Sequence, residues 1–451
     1  MHRLDPSTEV LTQAVIRYAV ERTRLDPPPL DGPRTAGELH AMVGQTISAR
    51  GMGGLEALRV FADVLAPACI SVDHPRFWSF VPTAPTEAAI LFDLVVGASA
   101  IYGGSWMEGA GAVFAENQAL RWIADLAGFP VGAGGVFTPG GTYGNLSALT
   151  AARERWRARG GEGRAVVVGS SGAHSSIKAA AKVMDAEVIM VAADAAGRMT
   201  RAALTAAVAN VSADVAARIC AVVATSGTTN AGVIDDLTAG ADHAADLGAW
   251  FHVDGAYGAA ALAAPSVRHR FAGVERADSL IVDPHKWLFA PYDCCALIYR
   301  DPLQARAALS QHAEYLDVLQ ADENEWNPSD FAFGLTRRVR GLPFWFSLAT
   351  YGTDAYTEAI EASLTLTRAT AALIETMPEL EVVGEPELSV VMFRRLGWQP
   401  ADYNAWSAQL LAEGRAFVTP TSWNGETILR LCFVNPRSTL DDVCDVLATL
   451  T

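Results

Sequence analysis

The chain has 451 residues, too many for one ordinary hydrophobic core, so more than one domain is expected. With 51% apolar and 19% charged residues it is globular in composition, and disorder is excluded. A net charge of −16 argues against binding nucleic acid or an anionic membrane, both of which need a basic face.

In chain order, Asp5-Pro6 followed by Glu9 reads as a helix start, and apolar residues recur at helical spacing to Arg24. The proline-rich stretch 26–33 cannot be helix and reads as a stiff linker. Two further helices are predicted over 35–49 and 54–65. This N-terminal arm, residues 1–83, has little core of its own and should lie against something else. From 84 to 345 β-branched runs alternate with Ala-rich helical runs, as in a large α/β domain. Strands are predicted at 165–168, 188–191, 219–224, 250–253, 279–282 and 296–299. Their near-continuous apolarity suits a mostly parallel sheet with helices on both faces. Residues 346–451 read as a long helix and a small C-terminal α/β domain with strands at 388–393 and 428–433.

The six cysteines, among them adjacent Cys294 and Cys295, have no CxxC spacing. They read as reduced thiols, so no metal site is expected and a cytoplasmic location is. The N-terminus carries no apolar signal core, and Asp93 interrupts the longest apolar stretch, so no membrane span is expected.

Ligands of open parallel sheets bind at the carboxyl ends of strands. Asp254, Lys286 and the run Thr225-Ser226-Gly227-Thr228-Thr229 all follow predicted strands. Gly140-Gly141-Thr142 precedes a helix and suits an anion, although alone such a pair is more often only a tight turn. Asp254 alone could be a helix cap, and Lys286 alone a surface lysine. Together, a carboxylate in His-Val-Asp and an amine 32 residues later in Asp-Pro-His-Lys-Trp are what pyridoxal 5'-phosphate (PLP) needs. The carboxylate keeps the pyridine nitrogen protonated, and the amine forms the Schiff base. A nucleotide or sugar-phosphate binder using only the glycine loop would leave both residues unexplained.

With these blocks the chain resembles the group II PLP-dependent amino-acid decarboxylases, the family of aromatic-L-amino-acid and glutamate decarboxylases. The other matching blocks are His74-Pro75-Arg76-Phe77, Val81-Pro82-Thr83-Ala84, Thr138 to Thr142 with Asn145, and Ala173-His174-Ser175-Ser176. The resemblance implies fold type I, the PLP-dependent transferase fold, and a homodimer with a shared active site. It implies PLP-dependent decarboxylation of an L-amino acid to an amine and CO2. It assigns Lys286 to the Schiff base, Asp254 to the pyridine nitrogen and His174 to the ring face and protonation. Gly141, Thr142, Asn145, Thr228 and His285 would surround the phosphate. Ala256 would lie under the ring, Asp235 would support the Schiff base, and Thr83 would face the substrate carboxylate.

Two departures bear on chemistry. Family members carry a loop tyrosine upstream of the segment here formed by Arg337-Arg338; Asn327-Pro328 stands near its place and Tyr315 lies well upstream. Without such a tyrosine the carbanion could meet oxygen, and the alternative is an aldehyde synthase that couples decarboxylation to oxidative deamination. A further alternative is a non-catalytic PLP-binding paralogue, against which the full set of Lys286, Asp254 and His174 argues. The second departure is Gly104, where aromatic decarboxylases tend to carry a bulky residue. Glycine here makes room for a large aromatic or apolar side chain, with Trp78, Phe80, Tyr102 and Trp106 expected as the aromatic wall.

Overall fold

A computed structural model describes residues 6–311 and 325–450. The strands of the larger sheet are β1 (Gly134–Thr138), β2 (Val166–Ser170), β3 (Glu187–Val191), β4 (Ile219–Thr225), β5 (Trp250–Asp254), β6 (Ser279–Val282) and β7 (Cys295–Tyr299). They lie in the order β1-β7-β6-β5-β4-β2-β3. The run from β3 to β6 is parallel, whereas β7 pairs antiparallel with both β6 and β1. The fold is fold type I, with a mostly parallel sheet between helical layers.

Neighbouring residues of one strand enter different cores. Val166 and Val168 face one, Val167 the other; Phe251 and Val253 face one, Trp250 the other. Burial on both faces is why these strands read as unbroken apolar runs instead of alternating ones. All six predicted strands of this sheet are present, shifted by at most two residues at an end.

The smaller sheet is antiparallel throughout: β8 (Leu380–Val382), β9 (Val390–Arg395), β10 (Pro420–Trp423) and β11 (Glu426–Cys432), in the order β10-β11-β9-β8. The helix Leu342–Glu375 precedes it, with a non-helical kink at Gly352.

In the N-terminal segment the helix Pro6–Thr23 buries no residue. The second helix is only Ala36–Val43, capped by Thr35 and Glu38 and stopped at Gly44, whose φ of +66° ends it short of the predicted residue 49. The third runs Gly54–Val60 and continues as a π-helical turn over Phe61–Leu65.

Candidate active site

A cavity of about 570 Å³ opens at the carboxyl ends of β4, β5 and β6, where ligands of parallel sheets bind. It brings together Gly140-Gly141-Thr142, His174, Thr229, Asp254, Ala256, His285 and Lys286. The helix Gly141–Ala158 starts on its wall, which places the positive end of the helix dipole at the cavity. A side chain on Gly141 would lie 3.2 Å from both Ala256 Cβ and Asp283 Oδ2, so the turn is packed closely against the cavity floor and a larger residue would need these neighbours to shift.

Asp254, the last residue of β5, is buried. Its Oδ1 accepts from the Ala256 N–H at 3.2 Å, and its Oδ2 accepts from Asn145 Nδ2 at 3.0 Å. The second Nδ2 proton of Asn145 goes to Ser176 Oγ at 2.9 Å, and Ser176 Oγ lies 2.8 Å from His174 Nδ1. The Ser176 backbone N–H also donates to that Nδ1, so His174 accepts there and caps the helix Ser175–Val183.

Lys286 follows β6 in a tight turn whose Lys286 N–H donates to the Asp283 carbonyl at 2.9 Å. The turn sets Lys286 Nζ 2.8 Å from Asp283 Oδ2. Burial alone would lower the Lys286 pKa, but the adjacent Asp283 carboxylate outweighs it and holds the ammonium above the ordinary lysine value. Burial opposes charge on Asp283 too, and Lys286 and His285 hold that carboxyl below its usual range. His285 is kept neutral-leaning by burial, and its Nδ1 lies 2.7 Å from the Cys294 carbonyl oxygen and 3.1 Å from the Cys294 N.

The sequence model described as the pyridoxal-dependent decarboxylase conserved domain matches residues 55–396. The chain belongs to the pyridoxal-dependent decarboxylase family. It is 31% identical over 387 residues to the aromatic-L-amino-acid decarboxylase of Bacillus atrophaeus, covering 83% of this chain and 80% of that one. It is 35% identical over 389 residues to the L-2,4-diaminobutyrate decarboxylase of Rhizobium meliloti (strain 1021), covering 83% and 77%. The crystal structure of Oryza sativa TDC with PLP and tryptamine shares the fold, with a TM-score of 0.90 at 24% identity over 99% of this chain and 98% of that one.

The cofactor of this decarboxylase family, PLP, fits the cavity. A half-buried amine, a buried carboxylate held by two donors, and a closely packed glycine helix start stand around one space. Among the described residues no group of His, Cys, Asp and Glu could hold a metal ion.

Several expected residues stand elsewhere. Asn145 is on the cavity wall but engaged with Asp254, Ser176 and His252 Nε2, so its amide faces the end of β5 instead of the glycine turn. Thr228 turns its hydroxyl to the Val233 N–H, and Gly227 and Thr229 line the cavity in its place. Asp235 is off the cavity wall; its carboxylate accepts from the Thr225 N–H at 2.8 Å and the Met199 N–H at 2.7 Å, fixing the end of β4. Thr83 donates its hydroxyl to the Ala290 carbonyl at 2.7 Å.

The aromatic wall is not assembled on the Lys286 cavity within one chain. Trp78 is fully buried in the core of the smaller sheet, against Phe433 and within reach of Ser438 Oγ. Phe80 is exposed and leans on Phe417. Trp106 opens the helix Trp106–Leu126, its N–H held by Asn327 Oδ1. The space at Gly104 is filled by Tyr102, whose hydroxyl donates to the Leu335 carbonyl; a Cβ on Gly104 would meet that hydroxyl at 2.3 Å. Tyr315 lies outside the described residues.

Sequence reasoning missed Asp283 and Tyr292 as site residues. Asp283 had a signal, its place three residues before Lys286 across a proline turn. Tyr292 reaches the cavity from the loop after Lys286, its ring 5.0 Å from that of His285, and no periodicity marks it.

Proposed function

We infer that this protein decarboxylates an L-amino acid with a bulky aromatic or apolar side chain, releasing the amine and CO2. The observation that carries the reading is the convergence of Lys286, Asp254 and the Gly141 helix start on one cavity. Lys286 would hold PLP through Nζ, and Asp254 would keep a proton on the ring nitrogen. The N–H groups at Gly141 and Thr142, with Thr229 and His285, would hold the phosphate. Ala256 and His174 would flank the ring, and His174, whose Nδ1 is an acceptor, offers Nε2–H to the cavity. Bound PLP supplies the electron-withdrawing ring that takes up the electron pair left when the bond from Cα to the carboxylate breaks.

The aromatic or apolar preference is supported by Tyr143, Tyr257 and Tyr292 on the wall and by the lack of any arginine among its described lining residues. The Bacillus relative carries that preference in its name, whereas the Rhizobium relative does not. A homodimer belongs to the reading, because the helices Glu87–Ser99 and Trp106–Leu126 leave Leu91, Leu94, Val95, Met107 and Phe114 exposed. So does a cytoplasmic location, since all six cysteines are free thiols. Among the described residues no helix is long and apolar enough to cross a membrane.

The test is an aerobic assay of PLP-loaded protein with tryptophan, tyrosine, phenylalanine, glutamate and 2,4-diaminobutyrate, measuring CO2, amine, aldehyde and peroxide. Aromatic amine with equimolar CO2 is expected. Aldehyde with peroxide and ammonia would establish oxidative deamination instead, and comparable turnover of glutamate or diaminobutyrate would overturn the substrate class. Lys286→Ala should lose the visible absorbance of bound cofactor; a surviving band would sink the role of Lys286.

A further inference from the structure

Only three lysines occur in the chain: Lys178, Lys182 and Lys286. The first two are exposed on the helix Ser175–Val183, while Lys286 sits in the cavity. A buried amine far from any anion would shed its proton readily, because burial penalises the charged form. Lys286 is not far from one. Asp283 Oδ2 is 2.8 Å from Nζ, and Asp283 is 2% exposed. The other carboxylate of the site, Asp254, has both oxygens engaged by Ala256 N–H and Asn145 Nδ2. Asp283 has no N–H donor of that kind: its Oδ1 is fully buried without a geometric hydrogen-bond partner among the described residues, and the other polar group beside the carboxylate is the Cys295 thiol. Its charge is therefore balanced chiefly by Lys286, 2.8 Å away; His285 Nε2 is 3.6 Å away, and burial disfavours the protonated ring. The pairing is built into the chain, because the proline turn Asp283-Pro284-His285-Lys286 returns the lysine over the carboxylate.

We propose that Asp283 is a further catalytic residue, the counter-ion that holds Lys286 as an ammonium in the free protein and thereby sets the pH at which the amine becomes a nucleophile. This rests on Lys286 being the cofactor lysine and adds what controls it. The pH response belongs to a small group. Asp283, His285 and Tyr292 face Lys286 from its own loop, Asp254 from the end of β5, Cys295 from β7 and Cys432 from β11. Asp283 is the member in direct contact with Nζ.

The experiment is reductive methylation of the full-length, cofactor-stripped protein with formaldehyde and cyanoborohydride across pH, read at each lysine by mass spectrometry. Formaldehyde carries no phosphate, so the readout does not depend on cofactor binding or activity. In wild type the midpoint of Lys286 should lie at or above those of Lys178 and Lys182. In Asp283→Asn it should fall below both, by about one pH unit or more, a tenfold change in proton activity. Asp283→Glu should keep the wild-type order. An unmoved midpoint in Asp283→Asn overturns the proposal. Should that variant not fold, a wild-type Lys286 midpoint well below the other two overturns it by itself. Absence of label on Lys286 at every pH would instead overturn the reading of Lys286 as a reactive amine, and this proposal with it.

Discussion

Asn145 Nδ2 donates to Asp254 Oδ2 at 3.0 Å, and nothing in the amide is left to turn. The other Nδ2 proton goes to Ser176, and Oδ1 faces His252 Nε2 at 2.7 Å. An amide oxygen only accepts, so His252 carries its proton on Nε2. Its Nδ1, 2.8 Å from Ser279 Oγ, must then accept, and Ser279 in turn accepts from Trp250 Nε1 at 2.7 Å. Burial pushes His252 down to about 4, which keeps the ring neutral and the direction of the chain fixed. Asn145→Asp would replace the donor with a second carboxylate facing Asp254. Hydrogen bonds to charged groups contribute about 1.5–3 kcal/mol, so cofactor binding should weaken roughly ten- to hundredfold. Titration of stripped protein with PLP checks this, and wild-type affinity in Asn145→Asp would show that the amide does not hold Asp254.

Asp235 gives a pH dependence of stability. Burial raises its carboxyl to about 7, against the two backbone N–H groups that it accepts from. The unfolded group titrates near its ordinary value, so between about pH 4 and 7 the folded state binds the extra proton. Stability from this group is therefore highest at or below about pH 4 and falls as pH rises to about 7, by roughly 3–5 kcal/mol. His252, with its folded value pushed down to about 4, slopes the other way between about 6.5 and 4. Comparison with Asp235→Asn isolates the carboxyl. The stability of wild type relative to Asp235→Asn should decline from pH 4 to 7 in urea unfolding, and a constant or growing difference would contradict the assignment.

What the sequence could and could not show has physical causes. β4, β5 and β6 were legible because strands buried on both faces leave an unbroken apolar run. β1 was not, because it begins Gly134-Gly135, which reads as a turn. A Cβ on Gly135 would lie 1.8 Å from the Leu297 carbonyl oxygen, so glycine is what lets β1 approach β7. Lys286 and Asp254 could be placed because strand ends meet at one edge of a parallel sheet. Asn145 lines the cavity as expected of a site residue, but standing one helical turn beyond Gly141 its amide faces β5, not the glycine turn, which proximity in sequence does not reveal. Trp78 was misjudged, since its position near Thr83 does not reveal that the chain crosses to the smaller sheet there. Its N–H donates to the Phe417 carbonyl and its carbonyl accepts from the Cys432 N–H.

Gly104 separates a packing role from a substrate role. A Cβ there would lie 2.3 Å from the Tyr102 hydroxyl and 2.7 Å from the Leu335 carbonyl oxygen, and the second is backbone that cannot swing away. Gly104→Ala should therefore destabilise the protein by about 1–3 kcal/mol, the cost of overpacking, and displace the hydrogen bond from Tyr102 to Leu335. Thermal unfolding checks the first effect. An unchanged unfolding temperature together with an altered substrate profile would restore the view that glycine here makes room for the substrate.

Arg337 and Glu116 form a buried, bidentate pair, with Nη1 to Oε2 at 2.8 Å and Nη2 to Oε1 at 3.0 Å. The side chains are 7% and 3% exposed. The same guanidinium donates to the carbonyls of Gly103 and Phe137, and Glu116 accepts from the Gly341 N–H. One pair thus ties the helix Trp106–Leu126 to β1, to the segment before that helix and to the start of the helix Leu342–Glu375. Removing one partner leaves an uncompensated buried charge, so Arg337→Met and Glu116→Leu should each cost about 3–5 kcal/mol. The double variant removes both charges and should recover part of that loss. It cannot recover all of it, because the Gly103 and Phe137 carbonyls and the Gly341 N–H lose their partners as well. Urea unfolding of the three variants measures the coupling. Two single variants near wild type would mean that the pair is idle, and a double variant at the sum of the singles would mean that the charges do not sense each other.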